Sequence, residues 1–380
     1  MLKNFFGEEI PKSVFIAREQ LEDKTERNIY GRYFKDTAIF NVFPDEKAKD
    51  GKLLGKFIKN PDPAVRDKMQ LCGVITDDGI EFYSYGKKAV AEPYDLYQKI
   101  FSRNKGILET SIMSQKRVVI LGCGSVGSLV AMELARSGVG HFCLVDADIL
   151  EYHNICRHQC GLEDVGDLKV NILERKIKNI NPSADVIKFK GIVQNVPQKM
   201  FEDFCKPGDT IFVGCADNRT ADVFSNRIAS YFSSSFISIG FWERAFAGEI
   251  FYHIPGKNMP CYACALGDGG DMSGRVEANH HIYSTQENLE NVRFEPGISV
   301  DINFITCIGI KLIIDILNDG ENGYIPRLLN NLQQYTLVCN TSNPEIGGEM
   351  VEIFSYPLQV TTSLKVSFGA KCSGKCKNEN

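Results

Sequence analysis

Several groups of residues carry types and spacings that could do chemistry. The sharpest is Gly122-Cys-Gly124-Ser125-Val-Gly127, set directly after the apolar run Arg117–Leu121. Small residues there let the main chain turn tightly and approach a phosphate, which the N-terminus of a following helix attracts. The next apolar run ends in Val145-Asp146-Ala-Asp148. An acidic residue at that place can accept hydrogen bonds from ribose hydroxyls. Taken alone, this pattern fits any dinucleotide-binding domain, that of an NAD-dependent oxidoreductase included.

Further residues ask for more than a dinucleotide. Asn154, Arg157 and Lys169 follow closely, and Asp217 stands in Gly214-Cys-Ala-Asp217-Asn218. A dehydrogenase binds one diphosphate with backbone amides and needs few cations. An enzyme that cleaves ATP must neutralise a triphosphate and a departing pyrophosphate, which takes Arg, Lys and Mg²⁺ held by a carboxylate. Asp217, just past the apolar run 210–215, would sit at the carboxyl edge of a parallel sheet, where ligands bind. Each of these cations has a plainer reading as a solvated surface charge.

The cysteines form another group. Cys261-Tyr-Ala-Cys264 and Cys372-Ser-Gly-Lys-Cys376 are two short Cys–Cys spacings, which together fit a tetrahedral structural Zn²⁺ site. Zinc there would tether the tail to the body of the chain; the competing reading is four unligated thiols. His280-His281 could touch substrate or metal, or could be two solvent-exposed imidazoles.

These groups must be positioned by elements. From Lys116 onward, strand-like runs (117–121, 141–145, 210–215) alternate with helical ones (through Ala135, 169–179, 220–232), which implies α/β architecture: a Rossmann-like, mostly parallel sheet with helices on both faces. After about residue 235 the alternation stops, and residues 236–254 read as an antiparallel extension, with further β-like runs at 335–339 and 350–354. Residues 298–317 read as a buried amphipathic helix that takes Cys307 into its apolar surroundings. Residues 1–95 are different: short β-like runs at 37–43, 71–76 and 80–85, the last two separated by Asp77-Asp78-Gly79, a hairpin turn. They suggest a small N-terminal α+β accessory domain, with Cys72 in its core.

Composition sets limits. With 380 residues the chain can hold two domains, and its net charge of −5 gives no general attraction to nucleic acid or membrane. No apolar stretch approaches the ~20 residues that span a bilayer; Asp301, Asn303, Lys311 and Asp315 interrupt the nearest one. Thirteen cysteines behind a start that lacks a secretory pattern point to a reducing, cytoplasmic setting.

The order of these motifs resembles a known family. The run RVVILGCGSVGS…SGVGHFCLVDADILEYHNICRHQ…VGDLKV…CADNRT looks like the adenylation core of the ThiF/MoeB/HesA superfamily, which includes ubiquitin-activating enzymes. The resemblance covers roughly residues 97–376 and is weakest at 265–297. It implies ATP-dependent adenylation of the C-terminal carboxylate of a ubiquitin-like protein, sulfur-carrier protein or peptide. By similarity Asp146 would bind the ribose, Asn154, Arg157 and Lys169 the phosphates, and Asp217 the Mg²⁺. The family's Asn-x-x-Arg-Gln stands here as Asn154-Ile-Cys-Arg157-His-Gln159, with one residue inserted before the Gln.

The resemblance implies partners too. Tyr97-Gln-Lys-Ile-Phe101-Ser102-Arg103-Asn104 resembles the family's Tyr-Ser-Arg-Gln segment, whose arginine reaches across a homodimer onto the partner's phosphates; Asn104 replaces the usual Gln. Residues 265–297 resemble the crossover loop that lies over a carrier's C-terminal tail. Family members that pass the acyl group to a cysteine, and so toward a conjugating enzyme, carry it in that region. Residues 265–306 hold none, and Cys307 is the nearest candidate. An acyl-adenylate product is therefore expected. The N-terminal extension is similar in placement to that of microcin-type peptide-adenylating enzymes, which grips the substrate peptide. A non-catalytic, carrier-binding subunit is a further reading, though such subunits usually lack the phosphate-binding residues present here.

Overall fold

The computed structural model describes residues 11–44, 51–216, 218–266 and 296–369. The chain divides into two units, Met1–Arg103 and Asn104–Asn380.

The first unit is a closed barrel of seven strands, β1 Ser13–Ala17, β2 Arg27–Phe34, β3 Ile39–Val42, β4 Lys52–Lys59, β5 Leu71–Ile75, β6 Ile80–Ser84 and β7 Lys87–Tyr94. Their order is β1-β3-β2-β4-β5-β6-β7, and β1 closes the ring by pairing in parallel with β7. Short helices at Arg18–Glu22, Pro63–Arg66 and Leu96–Phe101 accompany it. The hairpin expected around Asp77-Asp78-Gly79 is β5–β6, with Ile75 opposite Ile80 and Gly79 at φ +152°. Inward side chains such as Val14, Ile29, Phe40, Phe57, Leu71 and Phe82 fill the barrel, and Cys72 is fully buried.

The second unit is built on an eight-stranded sheet ordered β10-β9-β8-β11-β12-β13-β14-β15. Its strands are β8 Arg117–Leu121, β9 His141–Asp146, β10 Asp185–Lys190, β11 Thr210–Gly214, β12 Ser235–Phe241, β13 Ala247–His253, β14 Tyr335–Cys339 and β15 Val360–Leu364. β10 to β12 run parallel through β9, β8 and β11; β13, β14 and β15 continue antiparallel. Alternation along β8 shows why both faces are covered. Val118 and Ile120 join one core cluster, with the helices Ser125–Arg136 and Ser299–Leu317, while Val119 and Leu121 join another, with Phe201, Phe212 and Phe236. A strand buried on both faces reads as a continuous apolar run.

The antiparallel strands expected at 236–254 are β12 and β13, paired from Phe236 opposite His253 to Phe241 opposite Gly248, while β12 also ends the parallel run. Two expectations need correction. Residues 350–353 form part of a 3₁₀ turn, Gly348–Ile353, that ends at Phe354, and not a strand. Val351 and Phe354 are the buried pair there, three residues apart, which matches the three-residue turn of a 3₁₀ helix and not the two-residue period of a strand. Finally, Cys307 is exposed on the helix Ser299–Leu317. That helix buries Ile302, Ile305, Thr306, Gly309, Ile310 and Ile313, a stripe that leaves position 307 on the opposite side. Among the described residues no helix is long and apolar enough to cross a membrane.

Candidate functional site

The glycine turn sits where β8 ends. Gly122 has φ +94°, and a Cβ there would meet the Ala216 and Cys215 main chain at 2.8 Å. The turn therefore presses against the chain just past the end of β11. A Cβ at Gly127 would stand 1.9 Å from the Gly122 carbonyl oxygen, so the helix Ser125–Arg136 can begin only if that residue is glycine. Gly124, the residue preceding the helix, has nothing within 4 Å of a built Cβ. The first N–H groups of a helix lack intrahelical partners, and no acidic side chain occupies this first turn. The result is an open, electropositive end suited to an anion.

Asp146 closes β9 beside it. Its Oδ2 accepts the Cys123 N–H at 2.6 Å and its Oδ1 accepts the Asp148 N–H at 2.7 Å. Burial pushes this carboxyl above the usual carboxylate range, against the pull of Lys169 and of the two amides. Each oxygen keeps a further lone pair that a hydroxyl could use. Lys169 opens the helix Lys169–Ile180, with its Nζ 2.9 Å from Asp148 Oδ2. Its charge bears on Cys123, Asp146 and His158 alike.

The chain between β9 and that helix carries the other predicted groups. Asn154 ends a 3₁₀ turn and its Oδ1 accepts the Glu151 N–H at 3.0 Å, which commits the oxygen and leaves the amide hydrogens as the group a phosphate could take. Arg157 is half-buried, and its main-chain N–H donates to the Asn154 carbonyl at 3.1 Å. Ser125 is half-buried at the helix start. Gly122, Gly124, Ser125, Gly127, Asp146, Asp148 and Lys169 thus converge at one end of the sheet.

Not every predicted residue can be placed. Asp217 lies outside the described residues; its neighbour Asn218 caps the helix Arg219–Tyr231 by accepting the Ala221 N–H at 2.9 Å. Arg103 is exposed at the end of the first unit. His280, His281, Cys372 and Cys376 lie outside the described residues, as do residues 267–295 of the expected crossover loop.

Of the four zinc candidates, Cys261 and Cys264 are described, with their sulfurs 3.6 Å apart. Two thiolates bound at about 2.3 Å in a tetrahedral shell stand about 3.8 Å apart, so the spacing fits a shared metal. A Cβ built at Gly369 would lie 3.7 Å from Cys264 Sγ, so the chain passes this pair at residue 369. Among the described residues, no group of three or more His, Cys, Asp or Glu side chains is gathered for a metal.

Two features escaped the reading of the sequence. His158, the residue inserted after Arg157, is buried with Nε2 2.7 Å from the Cys123 carbonyl oxygen. The Gln159 N–H donates to Ser128 Oγ at 3.2 Å, so this segment is tied to the glycine-turn helix twice. Neither bond leaves a mark in spacing, because each joins residues more than thirty positions apart. The Cys307 thiol, though exposed, is pushed up by partial burial and by Glu133, so it is a thiol and not a thiolate at neutral pH.

Comparisons with known proteins give the chain's family. A family model described as the ThiF family matches residues 101–346. Ubiquitin-like modifier-activating enzyme 5 of Bombyx mori is 31% identical over 168 residues, 40% of this chain and 40% of that protein. The tRNA threonylcarbamoyladenosine dehydratase of Bacillus subtilis (strain 168) is 39% identical over 110 residues, 27% of this chain and 42% of that one. The chain thus spans well under two thirds of the length of these relatives. Among solved structures, E. coli MccB with ATP is similar at 20% identity, covering 70% of this chain and 68% of that one with a TM-score of 0.48.

Proposed function

The chain belongs to the ThiF family, and from that premise we propose that it uses ATP to adenylate the C-terminal carboxylate of a ubiquitin-like protein, sulfur-carrier protein or peptide. The observation that carries the reading is the convergence of the open helix N-terminus at Gly124, the Asp146 carboxylate and the Lys169 ammonium at one sheet edge. A dinucleotide needs the first two; the cation answers a triphosphate.

In this reading the substrate carboxylate attacks the ATP α-phosphorus. A new C(O)O–P bond forms, the bond from the α-phosphorus to the bridging oxygen breaks, and its electron pair leaves with pyrophosphate. The carboxylate is already a nucleophile, so no general base is needed, and catalysis is positioning plus charge neutralisation. Gly124, Ser125 and Gly127 present main-chain N–H groups to the phosphates, while Gly122, whose own N–H donates to the Val145 carbonyl at 2.9 Å, lets the chain turn toward them. Asp146, with Asp148 beside it, takes the ribose hydroxyls. Asn154, Arg157 and Lys169 hold the phosphates, and Lys169 exchanges its Asp148 contact for phosphate oxygens as the nucleotide enters. Asp217 would hold Mg²⁺, which supplies charge neutralisation on the phosphate oxygens. Arg103 would act on a partner's site in a homodimer.

Zinc would be held by Cys261, Cys264, Cys372 and Cys376 as a structural staple. The 3.6 Å sulfur spacing and the approach of Gly369 support this. The lack of any cysteine in residues 265–306 favours release of the acyl-adenylate over an enzyme thioester. The barrel, residues 1–95 as read from the sequence, is proposed as an accessory part for carrier or partner recognition, with residues 265–297 covering the carrier's tail. A net charge of −5 supports a protein or peptide substrate over a tRNA.

Carrier-dependent exchange of radiolabelled pyrophosphate into ATP tests the proposal. Arg157→Ala and Asp217→Ala should each abolish exchange while the fold is kept. Full exchange in either variant contradicts the assignment, and zinc content of the purified full chain, expected at one ion, checks the staple.

A further inference from the structure

His158 is 6% exposed, and its Nε2 stands 2.7 Å from the Cys123 carbonyl oxygen. A carbonyl only accepts, so Nε2 carries the proton and donates it. Burial pushes the imidazole down to about 4, so the ring is neutral at pH 7. Its Nδ1 is then a bare acceptor, buried, and without a hydrogen-bond partner among the described residues. Such an orphan costs stability, and what the ring gains in exchange is the contact at Nε2.

That contact completes a clamp. The Cys123 N–H donates to Asp146 Oδ2 at 2.6 Å while its carbonyl receives His158, so side chains from two different segments hold the two polar ends of one residue. On either side stand Gly122 and Gly124, which have no Cβ to restrict their torsions. A turn this free in its own torsions is fixed from outside. His158 is also bonded in the chain to Arg157, and the next residue, Gln159, donates to Ser128 one turn into the helix. The arginine and the glycine turn are therefore referenced to each other through one imidazole.

We propose that His158 is a positioning residue whose Nε2–H bond to the Cys123 carbonyl holds the glycine turn and Arg157 in the register that a nucleotide's phosphates require. The assignment rests on the ATP reading above for its ligand, but the clamp itself is a property of the ligand-free protein.

The test uses the full chain as wild type and as His158→Ala, His158→Asn and His158→Gln. A Gln amide reaches the place of Nε2, while an Asn amide reaches only that of Nδ1. Calorimetry with Mg·ATP should show His158→Gln within about threefold of wild type and the other two weaker by about tenfold or more, the size of one lost buried hydrogen bond. Thermal unfolding should remain cooperative in all of them. Alanine and asparagine variants that bind ATP as tightly as wild type overturn the proposal, as does a glutamine variant no better than alanine. Wild-type protein that binds no ATP would sink the nucleotide reading instead. Amide NMR shifts at Gly124 and Ser125 decide the clamp independently of nucleotide: they should move in His158→Asn and return toward wild type in His158→Gln, and shifts that stay put in both overturn it.

Discussion

Asp148 holds Lys169 twice: its Oδ2 lies 2.9 Å from Nζ, and its main-chain carbonyl accepts the Lys169 N–H at 3.0 Å. The lysine side chain is only 11% exposed, the aspartate 45%. The pair therefore parks an ammonium at the sheet edge instead of releasing it to solvent, and the partner it gives up when phosphates arrive is the wetter one. Lys169→Met should lower carrier-dependent pyrophosphate exchange by about 100-fold or more, the scale of removing one electrostatic stabiliser of a transition state. Stability should change by about 1 kcal/mol or less, because the aspartate left behind can be solvated. Exchange within threefold of wild type would remove Lys169 from the site.

The glycines separate folding from binding. Gly127→Ala puts a methyl 1.9 Å from a carbonyl oxygen that the turn cannot move aside, so a loss of about 3 kcal/mol is expected in urea unfolding. Gly124→Ala adds a methyl with nothing within 4 Å, so stability should stay within about 1 kcal/mol. If phosphates occupy that open space, Gly124→Ala should nonetheless weaken ATP binding about tenfold or more. An alanine variant at 124 with unchanged affinity would place the nucleotide elsewhere.

Acid should weaken the fold through two buried imidazoles. Burial lowers both His158 and His253 to about 4, from an ordinary value near 6.5. The unfolded chain then binds more protons than the folded one between those values, so stability is full above pH 6.5 and falls as pH drops toward 4. At pH 5 the loss should be about 2 kcal/mol per histidine, seen as a lower urea midpoint than at pH 7. His158→Gln should remove about half of that slope. A variant with the wild-type slope would show that the ring at 158 is not titrating from a buried site.

How much of this was legible follows from what each residue answers to. β8 could be read because Val118–Leu121 is buried on both faces and so is a continuous apolar run. The barrel's β2, β4 and β7 could not, since RNIYGRYF, KLLGKFIK and KKAVAEPY place charges and small residues among few apolar positions, as half-buried strands of a closed ring permit. Gly122, Asp146 and Lys169 stand out in the sequence because a glycine turn, a strand-end carboxylate and a cation in that order are the types a nucleotide site would use. His158 does not: its use depends on a carbonyl 35 residues away, and a main-chain partner has no letter in the sequence. Cys307 differs from expectation because the sequence assigns it to the apolar side of an amphipathic helix, whereas the buried stripe through Ile302, Ile305, Ile310 and Ile313 leaves it on the wet side.

Arg103 offers the strictest test of assembly. If its guanidinium serves the partner's phosphates, every site takes Arg103 from one chain and Arg157 from the other. Arg103→Ala and Arg157→Ala homodimers should then both be inactive in pyrophosphate exchange. Mixed and re-equilibrated in equal amounts, half of the dimers are hybrids, and each hybrid holds one site lacking both arginines and one lacking neither. Activity should rise to about a quarter of wild type, the share of intact sites that random pairing in a two-fold dimer creates. Mixing that restores nothing although the subunits exchange would mean that Arg103 serves its own chain, and a fully active Arg103→Ala homodimer would mean that it serves no site.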